Sequence, residues 1–116
     1  MFTPFGGIAL GGFVDSNRVL REIGFSEREA KVYLALLELG QTTVGPIAAK
    51  TRIQHSKVYP TLEKLIDRGL VSFIIRSKTK YFQASDPTHI SNILRERERK
   101  FNAILHKLKQ KQKHSE

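Results

Sequence analysis

Between Ser56 and Gly69 the apolar residues fall at Val58, Leu62, Leu65 and Ile66. That i, i+4, i+7, i+8 spacing buries one stripe of a helix and leaves Ser56, Lys57, Thr61, Glu63, Lys64, Asp67 and Arg68 on its other faces. The flanking residues narrow the fold further. Upstream, Ile47-Ala48-Ala49 is a shorter apolar pattern, and Thr51-Arg52-Ile53-Gln54 reads as a turn between the two. Downstream, Leu70 to Ile75 and Lys80 to Gln83 are strand-like runs separated by Arg76-Ser77-Lys78-Thr79, a loop of four. Few small folds place a short helix, a turn, a second helix and a hairpin in that order.

The residues before this core read as scaffold. Asp15-Ser16 can cap a short helix from Asn17 to Ile23, with Gly24 as its stop. Ser26 and Glu29 form an S-x-x-E capping box for a longer helix ending at Gly40. Ala30, Tyr33, Leu34 and Leu37 are its expected buried stripe, widened by Val32 and Leu36. Gln41 to Val44 suits a small strand added to the later hairpin. Thr43 can cap the next helix, roughly Gly45 to Lys50 with Pro46 in its first turn. A threonine there serves equally well as a phosphate ligand beside exposed N–H groups. Pro60, near the sixth position of the reading helix, predicts either a later start or a kink.

The expected architecture is mainly α with a small β-hairpin. A winged helix-turn-helix domain spans residues 15–86, preceded by a flexible arm over 1–14 and followed by a helix and basic tail over 87–116. In the arm, Phe2, Phe5, Ile8 and Phe13 could pack on the body or on a second subunit, and its glycines make no GxGxxG loop. In the last helix, Ile90, Leu94, Arg97, Phe101, Ile104 and Leu108 recur at alternating spacings of four and three, a coiled-coil seam with one polar member. The seam points to a homodimer, or to a helix folded back on its own domain. The tail from Lys107 is expected to fray.

Charge is unevenly placed. Residues 1–49 hold four Lys/Arg against five Asp/Glu, residues 50–80 hold eight against two, and residues 95–116 eight against three. A localised basic field of this kind attracts a polyanion. Other chemistries find little support. The chain has no cysteine, and His55, His89, His106 and His114 show no metal-ligand spacing, so neither a metal nor another cofactor is expected. There is no nucleophile elbow or Walker loop, which argues against an enzyme. Apolar runs are far shorter than the ~20 residues a membrane span requires, and no signal-peptide core opens the chain, so a cytoplasmic protein is expected.

Double-stranded DNA is the expected partner. The reading helix would bring Gln54, His55, Ser56, Lys57 and Thr61 near base edges in the major groove. Thr43, Lys50, Arg52, Tyr59, Lys64 and the wing residues Arg76, Ser77, Lys78 and Lys80 would mostly hold phosphates, with the wing on the backbone or minor groove. Two other readings remain open: a protein–protein adaptor, and a general nucleic-acid coat. The coat lacks the aromatic platform that single-strand binding favours.

The stretches LREIGFSEREAKVYLALLELG and TVGPIAAKTRIQHSKVYPTLEKLIDRGLV resemble the DNA-binding domain of the TrmB-type transcriptional regulators, and more distantly the MarR and ArsR groups. The resemblance covers about residues 18–85. It implies a winged helix, duplex DNA as ligand and a dimer on a palindromic operator. By motif position it places Ser56, Lys57 and Tyr59 on the recognition helix and Arg76 to Lys80 on the wing. Where the family commonly has Gly-Ile-Ser in the turn, this chain reads Arg52-Ile53-Gln54, and Pro60 replaces a helix former. Long members carry a C-terminal sugar-sensing domain; this chain reads as a short form, so no sugar effector is carried over.

Overall fold

The computed structural model describes residues 15–115, which fall into a unit ending at Ala84 and a unit beginning at Ser85. The arm expected over residues 1–14 lies outside the described residues. The first unit holds helices α1 (Ser16–Glu22), α2 (Glu27–Leu39), α3 (Val44–Thr51) and α4 (His55–Asp67). Strands β1 (Val71–Arg76) and β2 (Thr79–Ala84) complete it, and the second unit is helix α5 (Thr88–Ser115).

Local chemistry at the chain breaks explains where these helices start and stop. The Asn17 N–H donates to Asp15 Oδ1 at 3.0 Å and opens α1. In the capping box at α2, the Glu29 N–H donates to Ser26 Oγ at 3.1 Å and the Ser26 N–H donates to Glu29 Oε1 at 2.7 Å. After α4, the Gly69 N–H donates to the Ile66 carbonyl at 2.9 Å and the Leu70 N–H to the Leu65 carbonyl at 2.8 Å. This Schellman closure requires a left-handed residue, and Gly69 supplies it with φ +75°.

Glu29 does more than cap. It is buried, and its Oε1 also accepts from Arg68 Nη1 at 3.0 Å. The Arg68 guanidinium carbon lies 4.9 Å from the Phe25 ring centre, and Phe25 packs edge-on against Tyr33 at 5.8 Å. A capping carboxylate, a cation and a ring thus fasten the C-terminal end of α4 to the N-terminal end of α2.

The core joins Tyr33 and Leu36 of α2, Ile47 of α3, and Val58, Leu62 and Leu65 of α4, with Leu70 and Phe82 from the hairpin side. Full burial of each such side chain contributes about 1.5–3 kcal/mol. Three expected members differ, Leu34 among them, which is half-buried. Leu37 is 42% exposed, because α2 buries a broad arc that includes Ala35 and Glu29, and Leu37 sits in its last turn where that arc lacks cover. Ile66 is half-buried and lines a surface groove.

The turn before α4 places Arg52 in the left-handed region, φ 60° and ψ 27°, at the position where the resembling family has glycine. Gln54 is the N-cap of α4 but makes no side-chain cap bond. Pro60 lies inside α4, which begins at His55 rather than after the proline. It has no N–H to donate to the Ser56 carbonyl one turn back. At the next residue the Thr61 hydroxyl donates to the Lys57 carbonyl at 2.8 Å, which leaves the Ser56 carbonyl as Pro60 left it.

The two strands pair antiparallel from Val71–Ala84 to Arg76–Thr79. The connection is therefore two residues, not four: Ser77 and Lys78 make it, with φ of 46° and 69°. Positive φ at both positions matches a primed turn, whose twist suits a right-handed hairpin. The expected small strand over Gln41 to Val44 reduces to one bridge. The Thr42 N–H donates to the Phe82 carbonyl at 3.0 Å, and the Phe82 N–H donates back at 2.6 Å. Val44 already begins α3, and Thr43, though extended, is its N-cap, so the pairing goes no further.

α5 starts where the Asp86 carboxylate accepts from both the N–H and the hydroxyl of Thr88. It continues through the tail that was expected to fray, and at 28 residues it is about 42 Å long. Ile90 is half-buried, whereas Leu94, Phe101, Ile104 and Leu108 are exposed.

Candidate nucleic-acid interface

α4 is amphipathic, with one stripe packed and its N-terminal end exposed. Val58, Leu62 and Leu65 face the core, while Gln54, His55, Ser56 and Lys57 stand exposed together at its N-terminal end. The same end is the positive pole of the helix dipole, with no acidic residue in the first turn to offset it.

Thr61 belongs to the other class. It is only 6% exposed, with its hydroxyl engaged by Lys57, so the expected base-edge role is withdrawn. A threonine that satisfies its hydroxyl on the i−4 carbonyl can turn its methyl group inward. Its place at i+3 from Val58 and four before Leu65 carried that signal, which a count of apolar residues alone passes over.

A groove of about 480 Å³ separates α4 from the hairpin. Thr43, Tyr59, Lys78 and Lys80 line it, with Leu62, Ile66 and Phe82 as its apolar floor. Four residues expected at the interface are thus brought to one feature. Tyr59 is 51% exposed, and the Thr43 hydroxyl makes no cap hydrogen bond. Lys80 Nζ sits 4.5 Å from the Phe73 ring centre, so its side chain reaches across to the neighbouring strand. Arg76 is held on the opposite face of the hairpin. Its guanidinium stacks 5.2 Å from the Tyr81 ring centre and donates to Gln41 Oε1 at 2.9 Å. Ser77 and Lys78 form the exposed tip.

Lys57 and Lys64 border a second recess with Pro60 and with Arg28 of α2. Arg28 was not among the expected contacts, because the charge count placed it in the mildly acidic first segment. The capping box puts it in the first turn of α2, beside α4, so local helix chemistry was the available clue. Lys50 does not join either group. Its Nζ lies 2.8 Å from Glu38 Oε1, across the α2–α3 side of the unit, where it lines a recess together with Lys31 and Asn17. Arg52 is exposed in the left-handed turn immediately before α4.

A helix, a tight turn, a second helix with one exposed end, and a two-stranded basic hairpin define a winged helix-turn-helix protein of the transcription-regulator class. The family model described as sugar-specific transcriptional regulator TrmB matches residues 20–88. The chain belongs to the TrmB family, a family of DNA-binding transcriptional regulators. It is 38% identical over 64 residues to the uncharacterised protein YrhO of Bacillus subtilis (strain 168), spanning 55% of this chain and 23% of that protein. Among solved structures it is similar to the archaeal chromatin protein TrmBL2, with a TM-score of 0.68 and 23% identity over 84% of this chain and 40% of that one. It is also similar to a MarR family protein from Bacillus stearothermophilus, with a TM-score of 0.55 and 18% identity over 77% of this chain and 66% of that one. Among the described residues, no helix is long and apolar enough to cross a membrane.

Proposed function

We propose that the chain is a cytoplasmic, sequence-specific regulator that binds duplex DNA as a homodimer. The observation that carries this reading is the exposed N-terminal end of α4, four polar residues on a helix whose opposite stripe is locked into the core. In the major groove, Gln54, His55, Ser56 and Lys57 would meet base edges. Arg52, Tyr59, Lys64 and Thr43 would hold flanking phosphates, joined by Arg28 from α2. The hairpin would follow the backbone into the minor groove with Ser77, Lys78 and Lys80, while Arg76 braces it from the other face. Lys50, paired with Glu38, would contribute only to the surrounding field. The seam Ile90, Leu94, Arg97, Phe101, Ile104 and Leu108, exposed at every position but Ile90, supports pairing of two copies through α5, and two-fold symmetry would ask for a palindromic operator.

The test is fluorescence-anisotropy binding to a fragment upstream of the protein's own gene and to random duplex, across a salt series. A specific regulator keeps tight binding to the upstream fragment at about 150 mM salt while random DNA loses orders of magnitude. Lys78→Ala is expected to weaken both DNAs and reduce the salt slope by about 1, whereas His55→Ala or Ser56→Ala changes the preference between sequences. Equal behaviour of these variants would overturn the division of roles. No binding to either DNA at low salt would favour a protein–protein adaptor, and equal, steeply salt-dependent binding a nucleic-acid coat.

A further inference from the structure

Lys107, Lys109, Lys111 and Lys113 occupy the distal turns of α5, and all four are exposed. At 100° per residue, Lys107 and Lys111 fall on one flank of the seam through Phe101, Ile104 and Leu108, and Lys109 and Lys113 on the other. The proximal part of the helix offsets its own charge, since Glu96 and Glu98 interrupt the arginines and Glu96 pairs with Arg99. The distal part does not: no Asp or Glu lies between Glu98 and Glu116. Four ammonium groups thus stand within about 9 Å of helix axis, two on each flank, with no carboxylate among them.

We propose that the distal turns of α5 are a second, sequence-independent contact to the phosphate backbone of duplex DNA, separate from the reading helix and the wing. This rests on the DNA-binding reading above. Phosphate of nucleic acid is favoured over a lipid surface because Leu108 is the last apolar residue of the helix. From Lys109 to Ser115 every residue is polar, so these turns have no face to insert into a bilayer. Ammonium–phosphate contact needs no such face. Each lysine engaged releases condensed counterions and adds about 0.9 to the salt slope, so four add about 3 to 4 per subunit engaged without altering preference between sequences.

The experiment compares the full chain with two quadruple variants at positions 107, 109, 111 and 113, one Lys→Gln and one Lys→Arg. Both substituents are good helix formers, so α5 is retained, and far-UV circular dichroism checks it. Salt-series anisotropy is run on random duplex and on the upstream fragment, with anionic phospholipid vesicles as a third probe. The expected result is a slope reduced by about 3 per subunit engaged on both DNAs for the Gln variant, an unchanged specific-to-random ratio, and a slope kept by the Arg variant. DNA binding with an unchanged slope in the Gln variant overturns the proposal, as does equal loss in both variants. Vesicle binding that the Gln variant loses while its DNA slope stays intact would assign these turns to lipid instead. Failure of the unmodified chain to bind either DNA would overturn the underlying reading.

Discussion

Arg52 and Lys78 both hold a backbone conformation that glycine would adopt more readily, with φ of 60° and 69°, and both place a cation beside α4 or at the wing tip. Left-handed geometry costs an L-residue roughly 1–2 kcal/mol. Arg52→Gly is therefore expected to raise the urea midpoint, by about 1 kcal/mol of stability with an unchanged m-value. The same substitution should lower the salt slope of DNA binding by about 1. Urea denaturation and a salt titration on one variant thus test fold and function in opposite directions; a loss of stability would show that Arg52 is held by contacts worth more than its strain. The sequence made the caps legible at this scale, because Asp15, Ser26 and Glu29 act within three residues of themselves. It made Arg52 visible only as a departure from a pattern. The pairing of Lys50 with Glu38 was not legible, since it depends on how α2 and α3 pack.

The order and type of the elements could be read because each carries its own periodicity or its own stop signal. What could not be read was how α4 is aimed. That depends on Arg68, which reaches across from the end of α4 to a carboxylate already committed to capping α2. Arg68→Ala leaves Glu29 buried with its backbone donor but without its cation, and is expected to cost about 2–4 kcal/mol in urea denaturation. Arg68→Lys should recover part of that loss. The start of α5 has its own dependence on pH. The Thr88 hydroxyl, and then the Thr88 N–H, hold the Asp86 carboxyl below its ordinary value of 3.8. The folded form thus binds its proton less readily than the unfolded chain. The contribution is present above that ordinary value and is lost as pH falls through the lowered one. Circular dichroism of α5 across this acid range should show its first turn weakening, and Asp86→Ala should remove that part of the pH dependence.

A seam of apolar residues specifies that a helix must be covered but not by what, so quaternary structure stayed beyond the sequence while the winged unit did not. Phe101 is 51% exposed in the middle of that seam. Phe101→Glu is expected to convert a dimer to a monomer in sedimentation equilibrium and to weaken operator binding by about two orders of magnitude through loss of the linked half-site. An unchanged mass with unchanged affinity would place the pairing surface elsewhere. The break between the units, at Ala84 and Ser85, then takes on a meaning for descent. On the proposed reading, what is read would be written in α4, and the distance at which it is read twice would be written in α5. Mutations in one leave the other's information intact. A lineage could keep its half-site vocabulary while its operators change spacing, or keep the spacing while the words drift.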